Sequence, residues 1–427
     1  MSRSSTAIEN LRGFVVVMVV AFHACMAYLQ SQPVTEPLFD RPPYDWMATP
    51  IVDSSRWLPL DLFSAFQFLY LMQLLFLLSG VFVWPSLRRK GPAAFLQSRA
   101  LRLGVPFLLG TAVLMPAAYY AVYRVTAIDP SLSAFWRHWL ALPFWPNGPM
   151  WFLWFLLMLD GIAAALYRYA PQPIEAMARL AATARVRPGR FFMALAGVSM
   201  LIYVPTARVF TPWKWTEFGP FAFQLSFAPQ YVIYFFAGLI VGAAGLESGL
   251  LAADGMLARR AVRWVSAALV IFVVWLLAMA VVVKDLLPGL PGRQMAADLA
   301  TVLFVACACF GATGGFLRFA VTRRAALRSL AQNGYGIYIF HYVFVLWAQY
   351  LLLGVAAFAL IKAVTVFGIT LALSWMASVA ACRVPLGVRL LRGTGRVSVA
   401  LPTTTAAAAT VISPAGGGSS LQRRTQL

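Results

Sequence analysis

The fold is decided by the stretch Glu9-Asn-Leu-Arg12-Gly-Phe-Val-Val-Val-Met-Val-Val-Ala-Phe-His23, which opens an apolar run extending over about 13–31. A run of this length crosses the hydrocarbon core of a membrane as a helix. An offset of eleven residues returns almost to the starting direction on a helix, so Arg12 and His23 share one face, roughly 16 Å apart along the axis. Glu9 falls near the same stripe. Ionisable groups are costly inside a membrane, which makes these residues candidates for function.

The rest of the chain repeats this pattern. It is 61% hydrophobic and only 11% charged, which leaves too little polar surface for a water-soluble protein of 427 residues. We therefore predict an all-α, polytopic transmembrane bundle of about ten helices, because backbone groups inside a bilayer have to pair within each helix. The ten apolar runs lie at about 13–31, 62–84, 104–123, 149–167, 191–207, 230–246, 264–283, 299–317, 335–353 and 356–382.

The net charge of +20 follows the topology of such a bundle. With both termini in the cytoplasm, most Lys and Arg residues fall on the inner side and most acidic residues on the outer side, as the positive-inside rule requires. This distribution argues against a nucleic-acid partner. We expect an integral membrane domain over 1–392 and a disordered cytoplasmic tail over 393–427, whose Thr-, Ala- and Gly-rich composition is typical of disorder.

Three ionisable residues are predicted near the middle of the membrane. They are His23 in the first span, Asp160 in the fourth and His341 in the ninth, and their similar depth allows them to converge. A histidine is the natural group to accept a proton from a hydroxyl at neutral pH, and a carboxylate can orient it. Tyr338 shares a helix face with His341. The four cysteines lie in apolar runs, so we predict no metal site.

Arginines also cluster after the second span. Arg99 and Arg102 lie one helical turn apart where the third span begins on the cytoplasmic side. Guanidinium groups pair with phosphate oxygens through two hydrogen bonds, so this arrangement suits a phosphate-bearing ligand from the cytosol. Anchoring of the span by positive charge is the alternative interpretation.

Five motifs together resemble the membrane-bound acyltransferase 3 family over about residues 7–385. The motifs are Glu9-x-x-Arg12-Gly with His23, Leu77-Leu-Ser79-Gly80, Arg99-x-x-Arg102-Leu-x-x-Pro106, Trp151-Phe-Leu-Trp154-Phe-Leu and Tyr335-Gly-Ile-Tyr338-Ile-Phe-His341. Each is weak alone, but their order, spacing and placement are specific. Many family members carry Asp where this chain has Glu9, which leaves the acidic role open.

The resemblance implies an acyltransferase, an enzyme with no permanently bound cofactor that uses acyl-CoA as co-substrate. The acyl group, acetyl or succinyl, would pass from the cytoplasmic side to a carbohydrate hydroxyl on the periplasmic side of a bacterial inner membrane. His23 would be the catalytic base with Glu9 as an acidic partner, and Arg12, Arg99 and Arg102 would bind the donor. Supporting roles are expected for Ser79, Asp160, Tyr338 and His341. The long aromatic loop over about 32–61 and the approach to Ser79 resemble the branch that acylates glucans.

A different class of protein stays open at this point. In a proton-coupled transporter or flippase of envelope precursors, histidine and aspartate at the midplane would carry protons rather than act in catalysis. The arginines favour the enzyme, because a carrier of that kind does not need a phosphate site. The distance between Arg12 and His23 also suits a pantetheine arm that reaches from bound phosphates to a thioester at mid-depth.

Overall fold

The computed structural model describes residues 2–33, 38–42, 44–210, 215–288, 292–322 and 325–392. The tail predicted over 393–427 lies outside the described residues, so its disorder stays a prediction. The described chain forms α-helices joined by short loops. In chain order they are α1 (Arg3–Cys25), α2 (Leu58–Gly80), α3 (Val83–Lys90), α4 (Pro92–Arg99), α5 (Val105–Leu109), α6 (Met115–Thr126), α7 (Leu132–Ala141), α8 (Trp151–Tyr169), α9 (Pro171–Ala182), α10 (Pro188–Val209), α11 (Ala228–Ala244), α12 (Met256–Arg259), α13 (Ala261–Val283), α14 (Arg293–Phe319), α15 (Ala325–Leu351), α16 (Ala359–Ala381) and α17 (Pro385–Gly387).

Within the described residues, eight helical segments are long and apolar enough to cross a membrane. This confirms the predicted all-α, polytopic bundle. The segments are Arg3–Tyr28, Leu58–Lys90, Pro92–Thr126, Gly148–Tyr169, Pro188–Val209, Ala261–Val283, Arg293–Phe319 and Ala359–Ala381. The two remaining predicted runs are helical as well. They fall on α11, which has 17 residues, and on α15, whose 27 residues include several polar side chains.

Two helical segments depart from the spans predicted by hydropathy. α1 begins at Arg3, about ten residues before its apolar run, so Glu9 and Arg12 lie inside the same continuous helix as His23. The third span is not a uniform α-helix. It winds as a π-helix over Ala100–Gly104 and again over Gly110–Leu114. Such widened turns are frequent at functional sites, and the first of them carries Arg102.

Glycines bring α2 and α11 into close contact. A Cβ at Gly238 would lie 2.0 Å from the carbonyl oxygen of Leu77, and one at Gly80 would lie 2.1 Å from that of Phe235. No side chain fits at such distances, so the glycines let the two backbones touch. Close approach through small residues is the usual way in which helices associate in lipid, where burial of apolar surface gives no net advantage. The Leu77-Leu-Ser79-Gly80 motif therefore builds a helix crossing.

The helices α1 and α15 pack side by side and run in the same direction. Gly13 approaches the backbone of Ala331, Val16 contacts Gly334, and His23 meets His341, so each partner lies 318 residues further along the chain. This constant offset is the register of a parallel pair. A parallel pair agrees with the prediction that both helices are odd-numbered spans of the bundle, and it fixes which residues of α15 face His23.

A short β-hairpin, which the sequence did not predict, lies between α10 and α11. Strand β1 (Trp215–Phe218) pairs antiparallel with β2 (Phe221–Gln224), with Trp215 opposite Gln224 and Glu217 opposite Ala222. The turn uses Gly219 at a positive φ of 56°, which suits glycine. The amide of Asn147 donates a 2.7 Å hydrogen bond to the carbonyl of Pro220 and so ties the hairpin to the loop before α8.

The long first loop is tied to the bundle by a buried ion pair. The Nζ atom of Lys362, near the start of α16, lies 2.9 and 2.8 Å from the two carboxylate oxygens of Asp53. Both side chains are buried. The backbone N–H of Asp53 also donates to the carbonyl of Ala27 just beyond α1. These contacts hold the loop over the end of α1 that carries His23.

Candidate active site

A cavity of about 1130 Å³ opens among the loops and reaches into the helical bundle. We call it the His23 cavity, because His23 lies in its wall. The first loop, the loop before α8 and the β-hairpin form its upper wall, and the hairpin contributes Trp215, Glu217, Ala222 and Gln224 from one face. On α2 the lining extends from Leu58 to Met72, about 21 Å along the helix. A space of this size and depth accommodates a substrate of several rings.

Hydrogen bonds determine the tautomer of His23. Its Nδ1 atom lies 2.9 Å from the carbonyl oxygen of Val19 and 3.4 Å from Nε2 of His341. A carbonyl oxygen only accepts, so Nδ1 carries the proton and donates it. Nε2 of His23 is then the nitrogen with the free lone pair. An imidazole held in this way is prepared to accept a proton at Nε2.

His341 is held in the matching tautomer. Its Nδ1 lies 2.6 Å from the carbonyl oxygen of Tyr338, so that atom is also a donor, and its Nε2 offers a lone pair to His23. Gln349, two turns further along α15, donates a 2.9 Å hydrogen bond to the backbone oxygen of His23. The ring of Tyr342 meets that of His23 edge-on at 5.4 Å. The carbonyl of Val19 on α1 thus sets the protonated atom of His23, while α15 contacts both its ring and its backbone.

The three predicted donor-binding arginines come together at the opposite end of α1. Arg12 interacts electrostatically with Arg99 and Arg102, although these belong to different helical segments. We call Arg12, Arg99 and Arg102 the arginine cluster. Like charges repel, so gathering them costs free energy unless an anion or a polar partner compensates. The cluster lies about 16 Å along α1 from His23.

Each arginine of the cluster stacks on an aromatic ring. The guanidinium carbon lies 5.4 Å from the ring centre of Phe82 for Arg12, 5.1 Å from Phe95 for Arg99, and 5.8 Å from Tyr335 for Arg102. Stacking of this kind holds the face of the guanidinium by a cation–π interaction. The N–H groups lie in the plane of the guanidinium and stay available for hydrogen bonds. This is a favourable arrangement for binding phosphate oxygens.

The helix α15 joins the arginine cluster to the His23 cavity. Tyr335 donates its hydroxyl proton to the backbone oxygen of Arg102, while Tyr338, one turn further on, lines the cavity and donates to the carbonyl of Pro149. His341 follows after another turn. Three successive turns of one face of α15 therefore have different contacts. Tyr335 contacts the arginine cluster, Tyr338 lines the cavity, and His341 bonds His23. The cavity thus ends within about one helical turn of the cluster.

The sequence left open whether Asp160 converges with the histidines, and the structure places it beside Arg99 instead. Asp160 is buried, and its Oδ2 lies 3.2 Å from Nε of Arg99. The depth of a residue in the membrane was predicted from its place in the run, but the direction it faces depends on how the helices pack. Asp160 therefore belongs with the arginine cluster, where it compensates part of the positive charge.

Glu9 and Ser79 also lie apart from His23. Glu9 is fourteen residues from His23 in α1, about 21 Å away, and interacts electrostatically with Arg12. A part in catalysis for Glu9 would have to act through Arg12. Ser79 is half-buried near the end of α2, beside the crossing made by Gly80. The roles predicted for both residues stay predictions.

Two polar residues of the cavity wall were not predicted. Ser64 and Gln67 lie one turn apart on α2; Ser64 is 4% exposed and Gln67 2%. The hydroxyl of Ser64 and both polar atoms of the Gln67 amide have no hydrogen-bond partner in the described structure. Buried polar groups are normally paired. The periodicity of the sequence does not reveal an unpaired polar group, because it is the same whether or not a glutamine on an apolar helix has a hydrogen-bond partner.

A carboxylate from the β-hairpin faces the same cavity. Burial raises the pKa of Glu217 above its ordinary value, because the charged form loses hydration. Among the described residues, no group of three or more His, Cys, Asp or Glu side chains could hold a metal ion.

The comparison with known families matches this arrangement. A model of an acyltransferase domain, that of the acyltransferase 3 family, matches residues 5–379, which include α15, all but the first two residues of α1, both histidines and the whole arginine cluster. The match supports an acyl donor and an acceptor as the two substrates. Searches of curated proteins and of solved structures find no match. The chain therefore belongs to the membrane-bound acyltransferase 3 family and is an acyltransferase of groups other than aminoacyl groups.

Proposed function

We propose that this protein moves an acetyl or succinyl group from acyl-CoA to a carbohydrate hydroxyl, with His23 as the general base. The observation that carries the proposal is the hydrogen-bonded state of His23 in the wall of the cavity. Its Nδ1–H is engaged by Val19 and His341, and among the described residues no hydrogen bond occupies the lone pair of its Nε2. The enzyme would act in the inner membrane of a bacterium and modify glycans on the outer side.

The reaction follows from this geometry. Nε2 of His23 takes the proton of the acceptor hydroxyl as the oxygen attacks the carbonyl carbon of the thioester. The carbon–sulfur bond breaks, and the thiolate of coenzyme A leaves with the proton that the imidazolium returns. During the step the charge on the ring is stabilised by the carbonyl of Val19 and the lone pair of His341, which stay in place. A general base of this kind accounts for about 10²- to 10⁴-fold in rate.

The two substrates would approach from opposite ends. The arginine cluster suits the phosphates of coenzyme A, and the distance of about 16 Å along α1 suits the reach of its pantetheine arm. The His23 cavity is open among the loops and is lined by tryptophan, tyrosine, amide and carboxylate side chains. Aromatic faces with polar groups between them suit a sugar, whose rings carry apolar faces and hydroxyl edges. A glucan is one such acceptor.

Transfer by a His23→Gln variant tests the proposal. Purified protein in liposomes is supplied with acetyl-CoA or succinyl-CoA and a mixture of envelope glycans, and the acylated product is identified by mass spectrometry. We expect the variant to lose at least 10²-fold in kcat while it keeps its affinity for the donor. His138→Gln is the matched control, since His138 lies in α7 and bonds the hydroxyl of Tyr123. Wild-type transfer by the folded His23→Gln protein would contradict the proposal.

A further inference from the structure

The chain folds back on itself after the last long helix. α17 continues into a π-helical turn over Val388–Arg392, which packs against α15 and against the π-helical turn over Ala100–Gly104. The reversal is specific, because a Cβ at Gly387 would lie 1.8 Å from the carbonyl oxygen of Ala381. Leu390 and Leu391 are buried beneath the turn. This segment is therefore a packed part of the domain, although its sequence resembles a positively charged membrane anchor.

The folded-back turn is bonded to the arginine cluster. Nη2 of Arg102 donates a 3.3 Å hydrogen bond to the carbonyl of Leu391. Arg392, the next residue, is exposed, and its Nη2 donates a 3.2 Å hydrogen bond to Oδ1 of Asn333. Asn333 is itself held by Ser378 and lies two residues before Tyr335, the tyrosine beneath Arg102. The segment is thus bonded to Arg102 through the backbone of Leu391, and the next residue, Arg392, is bonded to α15 two residues before the tyrosine on which Arg102 stacks.

The charges in this region do not balance. The cations are Arg12, Lys90, Arg99, Arg102 and Arg392, and Lys90 interacts electrostatically with Arg99 and Arg102. The acidic residues described here are Glu9 and Asp160, of which Asp160 pairs with Arg99. Arg392 is bonded to a neutral amide. Positive charges gathered in this way favour a ligand with several negative charges, and more than one phosphate is required to satisfy them.

We propose that Arg392 is a further donor-binding residue, which the folded-back segment 385–392 holds over the arginine cluster to bind a phosphate of the nucleotide end of acyl-CoA. The inference rests on the proposed function, since it needs acyl-CoA as donor. Coenzyme A carries a diphosphate and a separate 3′-phosphate, so a site with arginines on two segments matches two groups of phosphate oxygens. Pantetheine has no phosphate and provides the contrast.

Binding of three ligands to purified full-length protein tests this assignment. Coenzyme A, 3′-dephospho-coenzyme A and pantetheine are titrated by calorimetry into the wild type, Arg392→Gln, Arg392→Lys and Arg383→Gln. Arg383 is the matched control, because it is an exposed arginine just after α16 and loses the same charge. We expect Arg392→Gln to bind coenzyme A about 10- to 100-fold more weakly, as loss of a charged hydrogen bond implies, and pantetheine unchanged. Arg392→Lys should recover part of the loss, and Arg383→Gln should match the wild type.

The outcomes separate this inference from the proposed function. Unchanged binding of coenzyme A by Arg392→Gln, with weaker binding by Arg102→Gln, would overturn the role of Arg392 alone. An equal loss for coenzyme A and pantetheine would also overturn it, because it would indicate a structural role. Failure of the wild type to bind coenzyme A or acyl-CoA would overturn both. A loss for coenzyme A that disappears with 3′-dephospho-coenzyme A would support the inference and assign Arg392 to the 3′-phosphate.

Discussion

At the scale of single residues, the site depends on which atom of His23 carries a proton. Val19 and His341 both face Nδ1, and together they keep Nε2 free. Both histidines were predicted from the sequence, because ionisable groups in apolar runs stand out. The pairing of the two rings was not predictable, since it is a contact between residues 318 positions apart.

We expect His341→Gln to lower kcat at least tenfold and to leave the KM for the acyl donor near its wild-type value. The variant removes the ring nitrogen that faces Nδ1 of His23 at 3.4 Å, and a flexible amide does not hold an acceptor in that position, so the base loses part of its orientation and of the stabilisation of its charged form. Steady-state kinetics with acyl-CoA measure both constants, with His138→Gln as the control. A rise in the donor KM with an unchanged kcat would contradict this positioning role.

Gln67 gives a prediction of opposite sign for stability and activity. Its amide is buried without a partner, so Gln67→Leu should raise the thermal unfolding temperature while it lowers transfer, because a buried unpaired polar group costs about 1–3 kcal/mol. Gln73→Leu is the matched control in the same helix. Gln73 donates a 3.1 Å hydrogen bond to Gln230, so its replacement should lower the unfolding temperature. Destabilisation by Gln67→Leu would show that the amide has a partner in the folded protein.

At the scale of elements, the β-hairpin brings a titratable group to the cavity. Four-residue strands of mixed polarity give no usable pattern in the sequence, which is why this element was missed. Its period-two alternation places Trp215 and Glu217 on one face, and that face lines the His23 cavity. The paired helices α1 and α15 were also beyond prediction, because hydropathy locates a span but does not specify its neighbours.

The stability of the folded protein should depend on pH through Glu217. Burial raises the pKa of Glu217 above its ordinary value near 4.5, so the folded protein holds this proton more tightly than the unfolded chain. The resulting stabilisation is fully present below the ordinary pKa and is lost as the pH rises through the raised value. Unfolding temperatures measured between pH 4 and 8 should therefore fall less in Glu217→Gln than in the wild type.

Asp129 supplies a control of opposite sign for this measurement. The backbone N–H of Ser131 donates a 3.0 Å hydrogen bond to the carboxylate of Asp129, and this hydrogen bond lowers the pKa of Asp129. Its stabilisation is present above the ordinary pKa and is lost as the pH falls. Asp129→Asn should therefore keep the fall in unfolding temperature with rising pH that we assign to Glu217. Identical pH curves for Glu217→Gln and the wild type would contradict the assignment.

At the scale of the whole molecule, hydropathy and charge were sufficient to predict the bundle. All ten apolar runs fall on helices, and the candidate site lies where two of them meet. What could not be predicted is the rotation of each helix. Asp160 is an example. Its predicted depth in the membrane is similar to that of the histidines, but its side chain points to Arg99. The folded-back segment that ends at Arg392 shows the same limit, because its packing beside Arg102 has no signal in the sequence.

The orientation of the bundle is a prediction that labelling can check. The positive-inside rule places Arg89 in the cytoplasm and Arg41, in the first loop, outside. In a variant whose four cysteines are replaced by alanine, Arg41→Cys should react with a membrane-impermeant maleimide in intact cells. Arg89→Cys should react only after the membrane is permeabilised. Both side chains are exposed, so access to them does not depend on unfolding. The reverse pattern would invert the proposed sides of donor and acceptor.

The parallel contact between α1 and α15 has a consequence for biosynthesis. His23 leaves the ribosome early and enters the membrane with the first helix, whereas His341 follows more than three hundred codons later. Through most of translation the first histidine therefore lacks the ring of His341 beside its Nδ1, together with the part of the cavity wall that α15 supplies. The candidate site is therefore complete only when insertion of the chain is nearly finished.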